Sequence, residues 1–230
     1  MNRRQRLGQH FLTSNKIAEL IVNSAHITQK DTILEVGTGR GILTKLLCKN
    51  AKNVISVESD KTLYHNAKSA INADNLELRY GDGLDTLEHF TVFVSNLPYS
   101  ESKNTVEWLA QRHFSHAVIM VQKEFAQKIS PENKQKAVSV IANYSFGIKK
   151  ILNVGKNNFD PPPKVDSVVL HLTRKKSLSA QIIKTVNRLF SYRRKTLQNI
   201  LKQFDEKSDD QRRLDELSGD EIIKIAKQLK

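Results

Sequence analysis

Four consecutive residues, Asn96-Leu97-Pro98-Tyr99, combine an amide, a fixed φ and an aromatic ring. The exocyclic amine of a heteroaromatic base is a poor nucleophile, because its lone pair is delocalised into the ring. An Asn side-chain oxygen and a backbone carbonyl that accept its hydrogens favour a pyramidal nitrogen and free that pair. Tyr99 offers a face on which a base drawn out of its stack can lie. Neutral Asn96 is no general base; its contribution would be orientation and electrostatics. A plain strand-ending turn with a buried tyrosine would carry the same four residues.

A second group lies upstream. Glu35-Val36-Gly37-Thr38-Gly39-Arg40-Gly41 follows a strand pattern and opens a helical one. Glycines there allow a sharp turn and close approach of a ligand to the backbone. Glu58 ends the next strand and is placed to accept hydrogen bonds from ribose hydroxyls. Asp82, in Gly81-Asp82-Gly83, is suited to an adenine amino group, although an aspartate between glycines is also a common turn residue. Together they describe a nucleoside-cofactor site without naming the cofactor. A nicotinamide-dependent oxidoreductase would share this first half, but its glycines are usually spaced G-x-G-x-x-G, whereas here they read G-x-G-x-G.

The elements that must position these groups follow a βαβα rhythm. Strand patterns fall at 32–36, 54–57, 76–80, 91–95 and 117–121, with helical patterns at 42–49, 61–71 and 105–112. That alternation predicts an α/β fold with a mostly parallel sheet and helices on both faces. Ligands of such sheets bind beyond the carboxyl ends of the strands, where both groups lie. Ile17, Leu20, Ile21 and Ser24 predict a helix ahead of the first strand. Further helices are expected at 123–129 and 137–146, and strands at 148–154 and 168–172. Pro161-Pro162-Pro163 imposes an extended link between those last two strands. From Ser179 the pattern is helical, with stripes Ile182, Val186, Leu189, Phe190 and Leu197, Ile200, Leu201, Phe204. The expected division is a domain over 1–174 and a small helical domain over 175–230.

Composition narrows the partner. The 230 residues carry 37 Lys and Arg against 24 Asp and Glu, a net charge of +13. Such an excess favours a polyanion, since cations that neutralise phosphates release condensed counterions. The clusters Arg3-Arg4-Gln5-Arg6, Arg174-Lys175-Lys176 and Arg193-Arg194-Lys195 lie toward the two ends of the chain, outside the apparent catalytic core. Nucleic acid is therefore the favoured partner. No apolar run approaches a membrane span, no secretory pattern opens the chain, and Cys48 is the one cysteine. These features read as a cytoplasmic protein, with Cys48 a core residue.

In the order and spacing of its motifs the chain resembles the ribosomal RNA adenine N6,N6-dimethyltransferases, specifically the small-subunit type. The resemblance runs through Leu7-Gly8-Gln9-His10-Phe11-Leu12, Glu35 to Gly41, Val57-Glu58-Ser59-Asp60, Gly81-Asp82 and Asn96 to Tyr99. It continues in Gln122-Lys123-Glu124-Phe125-Ala126, Phe159 to Ser167 and Arg193-Arg194-Lys195-Thr196-Leu197. It implies a Rossmann-like class I methyltransferase fold with S-adenosylmethionine as cofactor and no metal. His10, Leu12, Gly37, Gly39, Glu58, Asp82 and Asn96 would contact that cofactor. Asn96, Leu97, Pro98 and Tyr99 would hold the target amine, with Phe159 stacking opposite Tyr99. Without the resemblance, hydrophobic anchoring of the proline loop is the simpler reading of Phe159.

The implied substrate is a pair of adjacent adenines in a loop near the 3′ end of small-subunit rRNA, within a pre-assembled subunit and met by a monomer. Arg193, Arg194 and Lys195 would bind RNA. An RNA-binding assembly factor with secondary or lost methylation, or a large-subunit rRNA adenine methyltransferase, would show much of the same pattern. The chain departs from the family at Ser100-Glu101-Ser102, where Asn-Ile-Ser is usual, and at Lys134-Gln135-Lys136.

Overall fold

The computed structural model describes residues 10–132 and 135–229. Arg3-Arg4-Gln5-Arg6, Leu7-Gly8-Gln9 and Lys134 lie outside the described residues. The chain divides into two compact units, the second built from three separate segments: 106–112, 127–146 and 175–230. A linear division at Arg174 groups the first two of those segments with the other unit.

The first unit holds β1 (Phe11–Leu12), β2 (Thr32–Val36), β3 (Asn53–Glu58), β4 (Leu76–Tyr80), β5 (Val92–Asn96), β6 (His116–Gln122), β7 (Phe146–Val154), β8 (Phe159–Asp160) and β9 (Ser167–Arg174). Seven of them form one sheet in the order β4-β3-β2-β5-β6-β9-β7. Pairing is parallel from β4 to β6, and β9 then runs antiparallel to β6. The order reverses direction between β2 and β5, which is where a ligand crevice opens in a sheet of this kind. This is a Rossmann-like arrangement.

Helices α1 (Asn15–Ser24) and α2 (Ile42–Asn50) close over one sheet face, packing Ala18, Ile21, Val22, Leu43 and Leu47 with Ile33, Val54, Val92, Val94, Val118 and Met120. The alternating residues Leu34, Phe93 and Ile119 are equally buried, so the central strands are covered on both faces. Within α1 the buried stripe is Ala18, Ile21 and Val22, while Leu20 is 42% exposed. The buried face is turned from the one that Leu20 and Ser24 suggested. Asp60 caps α3 (Lys61–Ala70) by accepting from the amides of Thr62 and Leu63 at 2.8 and 3.0 Å.

Of the boundaries that differ from expectation, two bear on the site. Strand β5 extends to Asn96, so that residue belongs to the sheet. Helix α4 (Ser102–Leu109) starts three residues earlier than its apolar pattern, after a single 3₁₀ turn over Tyr99–Glu101. Helix α5 (Lys123–Ile129) follows β6 directly.

The second unit contains α6 (Ala137–Ser145), α7 (Ala180–Ser191), α8 (Leu197–Leu201) and α9 (Gly219–Gln228). Ile183, Val186, Leu189 and Phe190 of α7 are buried, as are Ile222, Ile223 and Ala226 of α9. Arg193, Arg194 and Lys195 are exposed in the turn between α7 and α8.

Candidate active site

A cavity of about 380 Å³ lies at the carboxyl ends of β2 to β5, a volume suited to a small-molecule ligand. Its floor is the loop after β2. Gly37 and Gly39 have φ of +87° and +57°, the left-handed region that favours glycine. The loop is held from both sides: the Gly37 amide donates to the Val57 carbonyl at 2.8 Å, and the Gly39 amide to Glu58 Oε2 at 2.8 Å.

Glu58 is buried at the end of β3, and its Oε1 accepts from the Asp60 amide at 2.8 Å. A carboxylate has roughly four acceptor positions, so two backbone donors orient it and leave capacity for hydroxyl donors. Asp82 has the turn role that its flanking glycines suggest. Its Oδ1 caps the 3₁₀ turn Gly83–Asp85 through the Leu84 amide at 2.9 Å, and the residue also lines the cavity.

Beneath the loop sits a polar group to which the sequence reading gave no role. Glu35 is fully buried, and its Oε2 accepts from Thr44 Oγ1 and Ser56 Oγ, each at 2.6 Å. Ser56 also meets Thr38 Oγ1 at 2.6 Å, which ties the loop to β3. Burial pushes the Glu35 carboxyl up to about 7; the Ser56 and Thr44 hydrogen bonds oppose the rise and the charge of Glu58 adds to it. On α2, burial and then the Glu35 carboxylate push the partly buried Cys48 thiol up to about 11, which leaves it a packing residue.

The other wall is the end of β5. Asn96 turns its Nδ2 toward the His10 carbonyl at 3.4 Å, leaving Oδ1 as the acceptor that faces other partners. Leu97 is buried, and Pro98, with φ of −54°, swings the chain into the Tyr99–Glu101 turn. The Tyr99 hydroxyl meets Ser167 Oγ at 2.8 Å. Burial raises the phenol above its ordinary range, the Ser167 bond opposes this, and the charge of Asp166 adds to it. Ser167 lies 68 positions away in sequence, with nothing local to reveal it.

The antiparallel pair of β1 and β8 brings the N-terminal segment beside the proline loop, with Phe11 opposite Asp160 and Leu12 opposite Phe159. His10 Nδ1 lies 2.8 Å from the Pro161 carbonyl oxygen, and its ring lies 5.3 Å from that of Tyr99, tilted by 33°. Arg40 pairs with Asp160 at 2.6 Å and lies over the Phe11 ring.

Thus His10, Leu12, Gly37, Gly39, Glu58, Asp82, Asn96, Leu97, Pro98 and Tyr99 all line one cavity. Phe159 does not. It is 4% exposed and packs in the core cluster with Leu12, so its ring anchors the loop and presents no stacking face here. The wall also holds Glu101 and Thr105, which the sequence reading left out. Glu58, Asp82 and Glu101 line the cavity with Arg40, the one Lys or Arg in that lining among the described residues, which is already paired with Asp160. Such a field favours a positively charged ligand and fits a sulfonium nucleoside.

The sequence pattern of the family described as ribosomal RNA adenine dimethylase matches residues 1–230. The ribosomal RNA small subunit methyltransferase A of Thermotoga neapolitana is 35% identical over 233 residues, spanning 96% of this chain and 90% of that one. That of Mycoplasma mobile is 35% identical over 213 residues, spanning 87% and 84%. Among solved structures, a dimethyladenosine transferase from Plasmodium falciparum is similar with a TM-score of 0.72 and 33% identity, over 84% of this chain and 75% of that one. The 23S rRNA methyltransferase ErmE shares the fold, with a TM-score of 0.70 at 22% identity over 95% and 99% of the two chains.

Proposed function

The chain belongs to the ribosomal RNA adenine dimethylase family, and from that membership we propose that it dimethylates N6 of two adjacent adenosines near the 3′ end of small-subunit rRNA, using S-adenosylmethionine. The observation that carries this reading is the convergence of Asn96-Leu97-Pro98-Tyr99 with the glycine loop and Glu58 in one cavity.

When bound, S-adenosylmethionine supplies an electrophilic methyl group on a sulfonium. Glu58, oriented by the Gly39 and Asp60 amides, holds the ribose hydroxyls. Asp82 receives the adenine amino group, and His10, Leu12, Gly37 and Gly39 complete the wall. Asn96 Oδ1, left outward by the Nδ2 contact with His10, and a backbone carbonyl of the turn accept from the target amine. Their hydrogen bonds strengthen as the nitrogen gains positive character, so they stabilise the transition state more than the ground state. Tyr99, tethered by Ser167, receives the flipped base on its ring. Phe159 acts by anchoring the loop beside that site.

RNA loops suit this chemistry because their bases are already partly unstacked. Arg193, Arg194 and Lys195, exposed on the second unit, grip phosphates. The protein works in the cytoplasm as a monomer on a pre-assembled small subunit, contributing to ribosome biogenesis. No described helix is long and apolar enough to cross a membrane. Incubation with labelled S-adenosylmethionine and unmethylated small subunits, followed by nucleoside analysis, tests the reading. Label should appear in N6,N6-dimethyladenosine; no label in the small-subunit RNA, or label in another nucleoside, would refute it.

A further inference from the structure

Methyl transfer to an amine leaves a proton to be disposed of, and the residues assigned so far do not take it. Asn96 and a backbone carbonyl accept hydrogen bonds but not protons at neutral pH. The Tyr99 phenol is raised by burial and engaged with Ser167. Glu58, oriented by the Gly39 and Asp60 amides, has its remaining acceptor capacity assigned to the ribose hydroxyls, and Glu101 Oε2 accepts from Asn104 Nδ2 at 3.1 Å.

His10 differs from all of these. A carbonyl oxygen can only accept, so the 2.8 Å contact with Pro161 places the ring proton on Nδ1. In that tautomer Nε2 carries the lone pair, and it has no partner among the described residues. The ring is fixed against Tyr99 at 5.3 Å, and the same residue's carbonyl receives the Asn96 amide. One residue therefore touches both groups that would hold the target base, with a basic nitrogen unengaged in the same cavity.

We propose that His10 Nε2 accepts the proton that the target adenine N6 releases on methylation, which makes His10 a catalytic residue of this chain. The proposal rests on the adenine N6 reading above. In the step, the nitrogen lone pair forms the new N–C bond and the C–S electron pair leaves with sulfur as a neutral thioether. The positive charge passes to N6, which releases one of its hydrogens from its carbonyl acceptor and gives that proton to Nε2. The imidazolium keeps its Nδ1–H bond to Pro161 and returns the new proton to solvent, to which His10 is partly exposed. A second cycle removes the remaining N6 hydrogen in the same way.

The charged groups around the imidazole come from several elements. Asp160 and Arg40 neutralise each other on the loops beside β8 and β2, while Glu101 stands on the turn after Tyr99. Glu35, Glu58 and Asp82 lie in the remaining walls.

The test compares the full-length wild type with His10→Gln, using single-turnover transfer to unmethylated small subunits across pH. Equilibrium binding of S-adenosylmethionine is measured alongside, and nitrogen NMR reads the His10 tautomer. The wild type should show the Nδ1–H tautomer and a rate that falls on the acid side. His10→Gln should transfer roughly 100-fold more slowly at saturating cofactor, beyond any change in cofactor affinity, and lose the acid limb. A variant with wild-type rate and an unchanged acid limb overturns the proposal. So does a loss wholly accounted for by weaker cofactor binding, or an Nε2–H tautomer. A wild type that methylates no adenine overturns the underlying reading instead, and the proposal with it.

Discussion

At the residue scale the chemistry divides between groups that hold the target and groups that hold the loop. Asn96→Ala removes the amide oxygen that faces the target amine but leaves the cavity walls in place. Single-turnover transfer should fall by about 100-fold or more, while RNA affinity stays within a few-fold; equal loss of both would remove Asn96 from the chemistry. Glu35 makes a different prediction. Its carboxyl, at about 7 in the fold against an ordinary 4.5, favours the fold when protonated. That contribution is complete below pH 4.5 and is lost as pH rises through 7, a span worth about 3 kcal/mol. Urea denaturation of Glu35→Gln should therefore show a flatter stability profile over that window than the wild type. Asn96, Tyr99, Glu58 and Asp82 were legible because each is the last residue of a strand or lies just beyond it. Glu35's hydroxyl partners and Ser167 were not, because those contacts join residues 9, 21 and 68 positions apart. Phe159 carries two readings in sequence, stacking implied by the resemblance and anchoring of the proline loop; its burial fits the anchoring one, and the β1–β8 pairing that buries it has no local signal.

At the element scale the glycine loop is the most exacting piece. A Cβ on Gly39 would lie 3.3 Å from Phe11 Cδ1, at a φ of +57°. Gly39→Ala should cost about 1–2 kcal/mol in backbone strain, read by denaturant unfolding. It should also weaken cofactor binding, since the strained amide is the one that orients Glu58. The strands and helices of the first unit were readable because β-branched runs and 3.6-residue periodicity alternate there without ambiguity. Helix α4 was placed too late: Ser100-Glu101-Ser102 has no apolar periodicity, and its first turn is fixed by Pro98 and by the Ser102 hydroxyl bonding to the Tyr99 carbonyl. Helix α9 escaped notice, although Ser218 and Glu221 form a capping box ahead of Ile222 and Ile223.

At the scale of the whole molecule, charge separates substrate gripping from chemistry. The catalytic cavity is acidic, whereas the chain carries +13 overall. The cavity accordingly suits a cationic donor, and the proposed phosphate contacts fall to exposed cations such as Arg193 and Arg194. Replacing both with Ala should lower the slope of log affinity against log salt by roughly 1.5, without changing single-turnover transfer at saturating RNA. An unchanged slope would move the RNA contacts to other cations. The second unit's three-segment construction could not be read linearly, since 106–112 and 127–146 join 175–230 only through packing. The most direct test maps modified positions by mass spectrometry after wild-type and Asn96→Ala proteins act on unmethylated small subunits. Two adjacent dimethyladenosines near the rRNA 3′ end with the wild type, and none with Asn96→Ala, are predicted. Modification elsewhere, or dimethylation undiminished in Asn96→Ala, would contradict the assignment of this cavity as the methylating site.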